Sequence, residues 1–301
     1  MRPGRPITRA RGLRPQALVL SLTLAALALG FEAAAAHHES GEGARAFRLH
    51  DALDGEWRTK EDRARDIYRH PREVLEFFQL APGTTVVEIS PGGGWYTKIL
   101  APYVSRTGGT FIAAGFDPND ERPYAQRGLK NFQDNFVAKP EIYGNIDVTV
   151  VGPKSEGIAP DGSADLIVTF RNVHNWVPSG YADKVFADLF RALRPGGVLG
   201  VVDHRLPDGR EPAEKLRDGY IQESVVVELA KKAGFVLEES SPINRNTADT
   251  ADHPFGVWTL PPVARSSAFG QPDDPKFDRE KYDAIGESDR FTLRFRKPAS
   301  Q

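Results

Sequence analysis

Two histidines stand just past apolar runs in this chain of 301 residues. His174 lies four residues beyond the run ADLIVTF (Ala164–Phe170), and His204 follows VLGVV with Asp203 between. Imidazole titrates near neutrality, so a histidine at a strand end is suited to take a proton from a hydroxyl or amine. Asp203 either supports that chemistry or caps the next turn. A third ionisable residue, Glu88, sits near the end of TTVVEI and precedes Ser90-Pro91-Gly92-Gly93-Gly94. Glycines after a strand let a ligand approach the backbone, and the helix that follows offers free N–H groups. A phosphate-cradling loop needs Gly-Lys-Ser/Thr, whereas this chain reads Gly94-Trp95-Tyr96. A dinucleotide turn needs a further glycine where Thr97 stands. Glu88 would repel either ligand's phosphates. It suits a ligand with a positive centre, such as an ammonium or sulfonium, and so favours S-adenosylmethionine.

Composition narrows the classes further. Hydrophobic residues make up 40% and charged residues 27%, as in a soluble globular chain. With no cysteine, disulfides, thiolate zinc sites and cysteine nucleophiles are excluded, and no metal site is expected. Residues 1–36 read as an export signal: five arginines, an uncharged apolar run over 17–31, then four alanines. As a helix the run would reach about 22 Å, short of a ~30 Å hydrocarbon core. The expected mature chain begins near His37, in the periplasm, with no membrane span. Removing those five arginines and Glu32 turns 39 basic and 41 acidic side chains into 34 and 40, a net of −6. Such a chain is a poor candidate for nucleic-acid binding. A small-molecule substrate is expected instead.

These residues need a frame. Apolar spacing predicts a helix over 72–80, a strand over 84–89 and a helix over 95–104. A strand at 110–114, a helical stretch around 124–136 and a strand at 146–151 follow. Ala164–Phe170 reads as a strand buried on both faces. A helix at 181–193, a strand at 198–202, a helix at 221–233 and a strand at 235–239 complete the alternation. Arg290–Arg296 (RFTLRFR) alternates, which predicts a half-exposed, antiparallel last strand. The whole is an α/β doubly wound, Rossmann-like sheet of seven strands. The domain is expected over 63–301, after an extension at 37–62. An insertion at about 240–288, rich in Pro, Asp, Asn and Ser, is either a lid over a ligand or a loose surface excursion.

VVEISPGGG resembles motif I of the class I S-adenosylmethionine-dependent methyltransferases, and further matches follow in the family's order. RNVHNW (171–176) resembles the loop after the fourth strand, and LFRALRPGGVLGVVDHR (189–205) the helix, turn and fifth strand. AKKAGFVLEE (230–239) and DRFTLRFRKP (289–298) resemble the last elements. With RDIYRHP (65–71) and GGGWYTKILAPYV (92–104), the pattern resembles a subgroup of exported bacterial predicted methyltransferases over roughly residues 60–300. The resemblance implies a cofactor site at Glu88, Ser90, Pro91, Gly92, Gly94 and Asn172; Arg69, ahead of the first strand, either closes over the methionine carboxylate or makes a surface ion pair. His174, at the edge where the acceptor should sit, either serves catalysis or acceptor positioning, with His204 and Asp203 beside it, or packs the loop. Ser90 replaces the family's first glycine. The acid that holds the ribose is also displaced: Gly115 stands in its register, and Asp117 would take the role if the strand end were bulged. That departure keeps open a ligand-binding protein without turnover, and a nicotinamide-dependent oxidoreductase is the more distant alternative.

Overall fold

Runs of aliphatic and β-branched side chains become strands where both faces can be covered. The computed structural model describes residues 46–299; the export segment, His37 and His38 lie outside the described residues. The strands are β1 (Thr85–Ile89), β2 (Thr110–Gly115), β3 (Ile146–Val150), β4 (Ala164–Phe170), β5 (Leu193–His204), β6 (Val236–Ser241) and β7 (Arg290–Arg296). They form one sheet in the order β3-β2-β1-β4-β5-β7-β6, with β7 antiparallel to both neighbours. The order reverses between β1 and β4, so their carboxyl ends open the crevice where such sheets take ligands.

The helices in chain order are α1 (Leu49–Leu53), α2 (Lys60–Ala64), α3 (Asp66–Arg69), α4 (Pro71–Phe77), α5 (Thr97–Arg106) and α6 (Pro123–Phe132). Then come α7 (Pro140–Tyr143), α8 (Val173–Trp176), α9 (Ala182–Ala192), α10 (Glu223–Ala233) and α11 (Arg279–Asp283). One face of the sheet, with Val86, Leu166, Val168 and Phe170, is covered by α1, α4 and α5. The other, with Val87, Ile167, Leu199 and Leu293, is covered by α8, α9 and α10. Ala52 and Leu53 join the first core and Trp57 Nε1 donates to Lys98 O at 2.7 Å, so part of the expected extension packs into the domain.

Two expectations change. β7 is not half-exposed: Phe291, Leu293 and Phe295 fill one core, and the polar face is roofed too. Arg294 Nη1 donates to Phe77 O and Arg290 Nη2 to Tyr68 O, so helix-end carbonyls cover what alternation assigns to water. The last strand is interior, placed between β5 and β6. The second change is at β5, which runs on to His204 through pairs with Phe291 and Arg290. Asp203 is therefore a strand residue with no exposure rather than a turn cap. No helix among the described residues is long and apolar enough to cross a membrane.

Candidate active site

The turn after β1 is built by its backbone. Ser90 (φ 49°), Gly92 (φ 58°) and Gly94 (φ 72°) are left-handed, which turns the chain sharply off the sheet edge. Glu88 through Gly93 line a cavity of about 380 Å³. A Cβ on Gly93 would meet nothing within 4 Å, so this glycine leaves open space for a ligand at the backbone. Glu88 is 2% exposed and, among the described residues, accepts only from Thr97 Oγ1, at 2.6 Å, with no cation as partner. Burial pushes its carboxyl up to about 7, against the smaller pull of the Thr97 hydrogen bond. An uncompensated buried acid in a ligand cavity fits an ammonium or sulfonium, and does not fit a phosphate.

The ends of β4 and β5 supply the second wall. His174 Nδ1 lies 2.7 Å from Asp203 Oδ1, whose carboxylate also accepts the backbone N–H groups of His174 and His204. An acceptor so placed fixes the tautomer with the proton on Nδ1, leaving Nε2 with its lone pair. His204 Nδ1 lies 2.6 Å from Ser288 Oγ. Burial, and then repulsion from His174 when it is protonated and from Arg171 and Arg290, push His204 well below the usual imidazole range, so it is neutral at pH 7. Ring centroids of His174 and His204 are 5.2 Å apart. Ligand atoms of His174, Asp203 and His204 lie within 4.8 Å of one another, close enough for a metal ion that the sequence did not lead one to expect. Asp203 and His174 Nδ1 are, however, engaged with each other. Asn172 donates from Nδ2 to Ile89 O and Thr169 Oγ1, tying the β4 loop to the β1 end.

The insertion roofs the cavity. Val257, Trp258, Leu260, Pro261, Pro262 and Val263 line it, so the lid alternative fits and the loose excursion does not. Asp249 anchors the segment: it accepts from Tyr220 Oη at 3.0 Å and lies 2.8 Å from His253 Nε2. Arg65, Arg171, Glu287 and Ser288 complete the wall. Glu287 alone accepts from Arg65 Nε, Arg69 Nε and Arg290 Nη1, at 2.7, 2.9 and 3.1 Å.

Of the sequence-predicted residues, Glu88, Ser90, Pro91, Gly92, Asn172, His174 and His204 share this cavity, and Asp203 stands behind His174. Three do not reach it. A Cβ on Gly94 would lie 2.1 Å from the Phe136 ring, so Gly94 serves core packing rather than ligand space. Asp117 accepts from the N–H and Nδ2 of Asn119, a local turn outside the wall. The pairing of β2 with β1 and β3 runs unbroken to Ala114 and Gly115, so no bulge brings Asp117 round. Arg69 is 1% exposed, against Glu287 and 4.6 Å over the Trp95 ring. Trp95 and Tyr96 wall the cavity, while Trp176 packs against Phe186 in the core. Arg65, Arg171, Glu287 and the 257–263 segment were missed; the apolar stretch VWTLPPV inside a polar insertion was the one signal for the last.

Strand order, the antiparallel β7 and the glycine turn after β1 together decide the architecture. The [4+2]-cyclase SpnF superposes with a TM-score of 0.51 and 17% identity, over 77% of this chain and 81% of that one. The chain has the class I methyltransferase fold. No protein-family model matches it. Within that fold it is similar to a ubiquinone/menaquinone biosynthesis C-methyltransferase of Hydrogenovibrio crunogenus, 30% identical over 135 residues, 44% of this chain and 46% of the relative. It is also similar to a sterol 24-C-methyltransferase of Schizosaccharomyces pombe, 24% identical over 237 residues, 69% of this chain and 57% of that protein. The chain spans about half the length of the curated relatives it matches.

Proposed function

We propose that the protein is an S-adenosylmethionine-dependent methyltransferase acting on a small-molecule acceptor, exported and cleaved near His37, and belonging to the exported bacterial subgroup. The observation that carries the activity is Glu88, a buried carboxylate with no cation as partner among the described residues, in one cavity with His174, which Asp203 backs. Glu88 would hold the cofactor's ammonium. The Ser90–Gly93 backbone and Asn172 would hold its remaining methionine portion. When bound, S-adenosylmethionine supplies an electrophilic methyl group, which passes to the acceptor while its bonding pair stays on sulfur. The protein's part is alignment, exclusion of water and removal of a proton. Asp203 orients His174, and Nε2 of His174 accepts the proton released by an acceptor hydroxyl or amine as the new bond to carbon forms. Val257, Trp258 and Leu260 keep water from the reacting atoms. The arginine-rich start and the apolar run over 17–31 support export.

Titration calorimetry tests the reading. S-adenosylmethionine and its demethylated product should bind, and nicotinamide dinucleotides should not. Binding of a dinucleotide in their place would overturn it. Methyl transfer to a bacterial extract, abolished in His174→Ala, would separate a transferase from a binding protein without turnover.

A further inference from the structure

Four guanidinium groups gather beside the cavity, and one carboxylate serves them. Glu287 accepts from Arg65, Arg69 and Arg290. Arg171, on the cavity wall, makes no hydrogen bond or ion pair through its side chain with any described residue. Burial works against its charge, Glu287 supports it, and Arg290 and Arg65 add repulsion. Buried N–H groups around the same acid also lack acceptors: both Nη of Arg69, Nη2 of Arg65 and Nε of Arg290. Buried charged donors are rarely left in this condition, since each costs its full desolvation. Of the other carboxylates on or behind the wall, Asp62 pairs with Lys98, Asp203 with His174, and Glu88 accepts from Thr97 rather than from these arginines. A small anion would supply acceptors to these donors.

Its place is at the histidine end. Arg171 N donates to Val202 O, Arg290 pairs with His204 across β5 and β7, and Ser288, next to Glu287, lies 2.6 Å from His204 Nδ1. Glu88 makes no hydrogen bond or ion pair with any of these arginines among the described residues; it accepts from Thr97. A methionine carboxylate shares a carbon with the ammonium that Glu88 would hold, so it would sit at the other end of the cavity. We infer that the methyl acceptor is an oxyanion, a small molecule bearing a carboxylate or phosphate, held by Arg171 and Arg65 beside His174. This rests on the methyltransferase reading. Guanidinium forks match such groups bidentately, and Arg69 and Arg290 stand behind them to hold the local potential positive.

The probes are benzoate and inorganic phosphate, titrated into the full protein saturated with S-adenosylhomocysteine. Wild type should bind at least one of them. Arg171→Met should weaken that binding roughly tenfold or more, while its affinity for S-adenosylhomocysteine stays within about twofold of wild type and Arg171→Lys recovers part of the loss. Arg171 is already left-handed at φ 64°, so the exchange adds no new kind of backbone strain. Should Arg171→Met fail to fold, Arg65→Gln reads the same loss. No anion binding by wild type, or equal binding by the variant, would overturn the inference. Loss of S-adenosylhomocysteine affinity instead would assign Arg171 to the methionine carboxylate and overturn it as well. Failure of wild type to bind S-adenosylhomocysteine at all would remove the methyltransferase reading, and this substrate class with it.

Discussion

Glu88 is a single side chain whose environment sets a measurable pH dependence. Its folded carboxyl lies at about 7 against an ordinary 4.5, so the folded state holds this proton more tightly than the unfolded one. The stability it contributes is present below about pH 4.5 and is lost as pH rises through 7, by roughly 3 kcal/mol. Glu88→Gln should therefore stabilise the ligand-free protein more at pH 8.5 than at pH 5 in urea denaturation; an equal gain at both would refute the assignment. S-adenosylmethionine should bind more tightly as Glu88 ionises, and Glu88→Gln should lose that dependence. Asp203 has the opposite character. It accepts from two backbone N–H groups and from His174, with no exposure. Asp203→Ala strands those donors and should cost about 3 kcal/mol or more in a denaturant midpoint series. The importance of Glu88 was legible beside a glycine turn. The Asp203–His174 bond was not, because 29 positions separate the partners and only the adjacency of β4 and β5 brings them together.

Within one turn, neighbouring glycines do different work. Gly93 faces open cavity, whereas Gly94 abuts Phe136 from the π-helical turn that extends α6. Gly93→Val should leave the melting temperature close to wild type and lower cofactor affinity at least tenfold, seen by calorimetry. Gly94→Val should unfold or strongly destabilise the protein before affinity can be judged, through both overpacking and its left-handed φ. A stable Gly94→Val protein would contradict the packing described. Helix and strand order was readable because Ala164–Phe170 and its fellows are continuous apolar runs between glycine and proline stops. β7 misled because alternation is read as one wet face, while Arg290 and Arg294 here satisfy helix-end carbonyls under partial cover. Propensity sees the strand, but not what lies on top of it.

For the molecule as a whole, the export proposal has a direct check. N-terminal sequencing of protein from its native host should begin near His37, and retention of Met1 or Arg2 would refute cleavage. The fold carries a consequence of a different kind. β6 ends and β7 begins at the same edge of the sheet, with Ser241 opposite Thr292. Both feet of the roofing segment are thus pinned side by side, at the mouth of the cavity. Closing a longer loop between fixed feet costs little, about 0.6 kcal/mol for each doubling of length. The roof is therefore a replaceable part. A lineage can exchange it for one of another size and shape, and so choose another acceptor, while the sheet and the glycine turn stay as they are.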